Sequence, residues 1–141
     1  RLEDRLLAVV PVDHRLASLP RFPIKEVEHE PFISLLETSD HDARRALEAA
    51  GVTPNIRYTT KDDYAIIAMV EQGLGVSIMP ELLLSGRSDN VRIMELAPPA
   101  SRTIGLCLPD ADRAGPATAR FAQCVSDWVR ERYSRIQNTT S

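Results

Sequence analysis

"AIIAMVEQGLGVSIMPELL", residues 65–83, carries an apolar helical run into two glycines, a β-branched apolar run and a proline. Tyr64–Val70 is apolar almost all round, which predicts a helix buried between layers. Gly73 is expected to end that helix as a left-handed cap, and Gly75 to let the backbone pass close to a neighbour. Val76–Met79 then reads as a core strand, and Pro80 leads "ELLL" into a short helix. A helix that reverses into a strand this abruptly belongs to an alternating α/β chain.

The flanking sequence extends the pattern. Leu6–Val10 and Phe32–Leu36 are continuous apolar runs, the mark of strands buried on both faces. Ser39 and Asp42 form a capping-box-like pair ahead of a helix on Ala43, Ala46, Leu47 and Ala50, which Gly51 closes. "NIRYTT" (55–60) reads as a strand, with Thr60 capping the next helix and Asp63 three residues on. Val91, Ile93 and Leu96 mark one further strand, "APPAS" a stiff connector, and Ile104, Leu106 and Leu108 another strand. The closing helix starts near Pro116 and sets Ala117, Phe121, Cys124 or Val125, and Trp128 on one face.

At 141 residues, 43% hydrophobic and 26% charged, the composition is that of one globular domain with a sizeable core. A net charge of −3, with the basic residues scattered, gives no footprint for gripping phosphate backbones. Cys107 and Cys124 sit in apolar patterns and read as reduced core residues. His14 and His29, in polar turn-like stretches, read as solvated. "SDHD" (39–42) offers no nucleophilic triad or metal site, because successive helical side chains point about 100° apart. No catalytic constellation emerges, so an enzyme is not expected, nor is any cofactor or metal.

The order of elements resembles the effector-binding domain of LysR-type transcriptional regulators. The likeness rests on "DRLLAVVPVDHRLAS" (4–18), "EPFISLLETSDHDARRALEAAGVTPNIRYTT" (30–60), the opening stretch and "IGLCLPDADRAGPATARFAQCVSDWVRE" (104–131). It implies an α/β, periplasmic-binding-protein-like (type 2) fold, with one complete subdomain over 4–97 and a hinge over 98–101. The returning strand and C-terminal helix of an incomplete first subdomain occupy 102–135, and 136–141 form a tail. The chain is accordingly expected to be N-terminally truncated, leaving Ile104–Leu108 and the Phe121/Trp128 face short of their normal partners.

The same likeness places a small-molecule effector against Leu36, Glu37, Thr38 and Ser39 at a strand-to-helix junction, with Thr59 nearby. Gly75, Val76 and Ser77 are expected on the facing side, so that Ser77→Tyr would block the cleft and spare the fold. Ala97, Pro98, Pro99 and Ala100 are the expected hinge. By themselves, Thr38 and Ser39 read as a helix cap rather than a site, and the glycine reversal as topology. The function implied is an effector-binding and oligomerisation module of a cytoplasmic, homo-oligomeric regulator, dimer or tetramer, reaching DNA only through a separate N-terminal helix-turn-helix. The alternative is a solute-binding receptor of the same fold without DNA binding.

Overall fold

A computed structural model describes residues 1–36, 41–85, 90–108 and 113–139, the last five by backbone alone. Strands β1 (Leu2–Pro11) and β2 (Arg21–Pro23) are followed by a 3-10 helix (Ile24–His29), β3 (Pro31–Leu35), α1 (His41–Ala49) and β4 (Asn55–Thr60). Then come α2 (Asp63–Glu71), β5 (Ser77–Pro80), α3 (Glu81–Leu84), β6 (Val91–Ile104) and α4 (Pro116–Thr139). By contacts the chain divides into two compact units, Asp4–Arg102 and Arg1–Glu3 with Thr103–Ser141.

In the Asp4–Arg102 unit the strand order is β2-β6-β1-β5, with β1 antiparallel to β5 and β2 parallel to β6. β3 and β4 pair in parallel, and a bridge between Phe32 and Val76 ties this pair to the approach to β5. Two backbone hydrogen bonds make that join: Val76 N–H donates to the Pro31 carbonyl and Ile33 N–H to the Val76 carbonyl, each at 2.9 Å.

Alternation along β1 builds two cores. Leu6, Ala8 and Val10 pack with Ala43 and Leu47 of α1, Phe22, Ile24 and Val27. Leu7 and Val9 point the other way, onto Ile66, Ile67 and Val70 of α2 and Met79. Side chains buried this fully contribute about 1.5–3 kcal/mol each, which is why an unbroken apolar run marks a strand covered on both faces.

Both predicted glycine caps are present. Gly51 has φ +68° and Gly73 φ +77°, and each closes its helix with a Schellman pair of hydrogen bonds. Gly51 N–H donates to Glu48 and Val52 N–H to Leu47; Gly73 N–H donates to Val70 and Leu74 N–H to Met69. Gly75 works differently: a Cβ there would stand 2.4 Å from the Pro31 carbonyl oxygen, so its missing side chain is what lets the join form.

Several local readings differ from expectation. The N-cap of α2 is Asp62, whose carboxylate accepts from Tyr64 N–H at 2.9 Å, while Thr60 is still in β4. α2 buries only its Ile66, Ile67 and Val70 face, leaving Tyr64 exposed, because the sheet covers it from one side. The two strands expected around "APPAS" are one continuous β6 ending at Ile104, and 105–108 form no strand. Cys107 and Cys124 are exposed rather than core. Residues 21–29, to which no element was assigned from the sequence, form β2 and the 3-10 helix. His14 is not solvated: its Nδ1 accepts from Leu16 N–H at 3.1 Å, and its Nε2 lies 3.0 Å from Glu30 as an unaligned electrostatic contact.

In the other unit Thr103 Oγ1 donates to Glu3 Oε1 at 2.6 Å and the Tyr133 hydroxyl donates to the Glu3 carbonyl. α4 half-buries Ala122, Val125, Val129 and Tyr133, spaced as one helical face, and exposes Phe121 and Trp128 at 64% and 60%. The expected open apolar surface is therefore present, on Phe121, Trp128, Ile104, Leu106 and Leu108.

Candidate functional site

A cavity of about 300 Å³ opens within the Asp4–Arg102 unit. Its floor is apolar, with Leu6 from β1, Leu35 from β3, Ile66 from α2 and Ile78 and Met79 from β5. Its charged lining is Asp42 in the first turn of α1, Lys61, Asp63 at the start of α2, and Arg102 of β6. Asp42 and Asp63 occupy the positive ends of their helices, where a carboxylate is favoured.

Arg102 is held from behind. Asp4, fully buried, accepts from Arg102 Nε at 2.8 Å with one carboxylate oxygen and from Leu82 N–H at 3.1 Å with the other. A buried carboxylate without such partners would cost several kcal/mol, so this pairing fixes both the guanidinium and the start of α3. Arg102 Nη1 also lies 3.4 Å from Asp42, a longer and weaker contact. Close by, Arg5 grips Glu81 with Nε and Nη2 at 2.9 and 2.8 Å and donates to Glu95 through Nη1 at 2.7 Å. The bond from Arg5 holds the Glu81 carboxyl below its ordinary value, and Glu81 in turn raises the Arg5 guanidinium further.

The sequence-predicted site residues sit as follows. Leu36 is half-buried and its N–H donates to the Thr60 carbonyl at 3.0 Å. Thr59 is exposed on β4, in register with Ser34 of β3. Gly75, Val76 and Ser77 are buried, and the Ser77 hydroxyl donates to the Ile33 carbonyl at 2.7 Å. A tyrosine at position 77 would therefore have to displace core, and would not leave the fold intact. Glu37, Thr38 and Ser39 lie outside the described residues. Ala97–Ala100 lie inside β6. Among the described residues, no three His, Cys, Asp or Glu side chains come together to hold a metal ion.

Asp4, Lys61, Asp63 and Arg102 were not singled out as site residues by the sequence reading. Two of them carried a signal. Asp4 shares the parity of Leu6, Ala8 and Val10, and Arg102 that of Met94 and Leu96, so both charges fall on the core-facing side of their strands. A charge at a core parity position requires a partner of opposite sign.

Residues 2–130 match the LysR substrate binding domain family. The chain belongs to that family. Among its relatives, the HTH-type transcriptional regulator YvbU of Bacillus subtilis is 28% identical over 127 residues, covering 89% of this chain and 44% of YvbU. The chain spans less than half the length of the curated relatives it matches. Of solved structures, HinK, a LysR family transcriptional regulator from Pseudomonas aeruginosa, superposes with a TM-score of 0.69 at 26% identity, over 92% of this chain and 45% of HinK. The effector binding domain of QuiR, solved in complex with shikimate, gives a TM-score of 0.68 at 22% identity over 86% of this chain and 62% of that one. The fold is that of LysR effector domains, the type 2 periplasmic-binding-like fold.

Proposed function

We propose that this chain is the effector-sensing part of a LysR-type transcriptional regulator, in which a small molecule held at the cavity alters how the whole protein engages DNA. The carrying observation is Arg102, pinned by a buried Asp4 at the edge of a small apolar-floored cavity in a substrate-binding family. A preorganised cation beside an apolar floor is the arrangement that orients a small polar ligand. The charged lining supports holding a molecule rather than transforming it, and the reading is of a binding module, not a catalyst.

The same proposal takes Leu36–Ser39 and Thr59 as further effector-facing surface, with Gly75, Val76 and Ser77 as the scaffold that sets the strands. It takes Ala97–Ala100 as the hinge, close in sequence to the boundary between the compact units at Arg102 and Thr103. Homo-oligomers in the cytoplasm, with DNA contacted through a separate helix-turn-helix, complete the reading. Among the described residues no helix is long and apolar enough to cross a membrane.

The test is nuclease footprinting of the full-length gene product on the DNA upstream of its own gene, with and without fractionated small molecules from its native cells. A fraction that shifts or shortens the footprint is the expected result. A footprint unchanged by every fraction, or no footprint at all, would refute the proposal.

A further inference from the structure

We infer that the cavity takes a small zwitterion, one carboxylate and one ammonium on a short apolar body, of the class of free amino acids. This rests on the effector reading above and goes further by naming the ligand's chemistry. Arg102 commits Nε to Asp4 and one Nη1 hydrogen to the long contact with Asp42. Of the five N–H donors of a guanidinium, the others have no partner among the described residues. Lys61, also a lining residue of the cavity, has no ion-pair or hydrogen-bond partner among the described residues. These two cations offer an anchor for a carboxylate.

The opposite sign is equally available. Asp63 lines the cavity half-buried, with its carboxylate unpaired among the described residues, and Asp42 is only weakly engaged by Arg102. Two carboxylates and two cations line the cavity, and Asp4 behind Arg102 adds a further negative charge. A dicarboxylate or phosphate ester would meet no net positive charge, and its second anionic group would face Asp63 or Asp42. A molecule carrying both signs satisfies the remaining Arg102 donors, Lys61 and the Asp63 carboxylate at once. The volume of about 300 Å³ is at the small end of ligand sites, and the Leu6, Leu35, Ile66 and Met79 floor favours an aliphatic body.

The experiment is isothermal titration of the full-length gene product with the twenty free amino acids, and, for any that bind, with its deaminated acid and its decarboxylated amine. Succinate and a sugar phosphate serve as dianionic probes. The expected result is that at least one amino acid binds and that both truncated analogues bind about tenfold more weakly or worse, the cost of stranding a charged partner. Asp63→Asn should weaken the amino acid about tenfold while narrowing its advantage over the deaminated acid, and Lys61→Met should do the same against the amine. Both side chains sit at the cavity wall with no structural partner among the described residues, so neither variant should unfold the protein. Binding by no amino acid would overturn the inference, as would a dianion binding more tightly than any amino acid and unweakened by Asp63→Asn. Either result leaves the effector reading standing as long as the footprint responds to some small-molecule fraction; an unresponsive footprint brings both down.

Discussion

Replacing Gly75 with alanine should be among the most damaging single-methyl additions in this chain. The new Cβ would stand 2.4 Å from the Pro31 carbonyl oxygen, 3.0 Å from its carbonyl carbon and 3.3 Å from its Cβ. Carbon-to-oxygen contacts between strands settle at about 3.3 Å or more, so the two backbones must separate by roughly 0.9 Å. That same carbonyl accepts the Val76 N–H bond, one of the two backbone hydrogen bonds that join β3 to the approach to β5. Losing it while the groups stay buried costs about 1–3 kcal/mol, and forcing packed backbone aside costs about 1–3 kcal/mol more. We expect a destabilisation of about 2–5 kcal/mol after the small entropic gain of Gly→Ala. Gly73→Ala is the internal control. Its Cβ would meet nothing within 4 Å, so only the left-handed φ of +77° is penalised. That costs about 1–2 kcal/mol, partly offset by the reduced entropy of the unfolded chain. Urea unfolding followed by circular dichroism should show Gly75→Ala falling well below Gly73→Ala at equal m-value. Equal losses, or a milder effect at 75, would refute the close-approach argument.

Two further outcomes follow from the charge pairs. Asp4→Ala should cost about 3–5 kcal/mol, since it strands the Arg102 guanidinium and the Leu82 N–H, whereas Asp4→Leu combined with Arg102→Met should recover a large part of that loss; urea midpoints that rank the double variant no better than Asp4→Ala would contradict this. Because Arg5 holds the Glu81 carboxyl below its ordinary value of 4.5, the pair's contribution is complete above that pH and is lost as pH falls through the lower folded value. Stability measured from about pH 6 to pH 3 should therefore decline less steeply below about pH 4.5 in Glu81→Gln than in the natural chain, and parallel curves would remove the pair from the acid response.

The backbone was legible wherever a local rule was strong. The glycine at 51 and the one at 73 announced left-handed caps because each followed an apolar helical face, and the run at 6–10 announced a strand covered on both sides. Legibility failed where two rules competed. "TTKDD" held several capping residues, and only the extent of β4 made Asp62 the one that caps. Pro98 and Pro99 suggested a break, yet β6 runs through them, because neighbouring strands rather than local propensity decide where a ladder ends. Of the candidate site, the strand-to-helix junction after Leu36 was visible as a pattern. The cavity was not, since it depends on β1 and β6 bringing residues at positions 4 and 102 together, a pairing no local window contains. Ser77 shows the converse: the family resemblance set it on the cleft, and the bond from its hydroxyl to the Ile33 carbonyl is a long-range contact that no local window contains.

Along β1, Val9 and Val10 are covalent neighbours whose side chains belong to different cores. Each core can thus accumulate substitutions with little reference to the other, and the strand between them acts as a firewall. The cavity is where that independence ends, because Leu6, Ala43 and Ile78 reach it from one side and Ile66 and Met79 from the other. A lineage drifting in either core therefore has a route to reshape the floor of the cavity without a single change among the charged residues that line it.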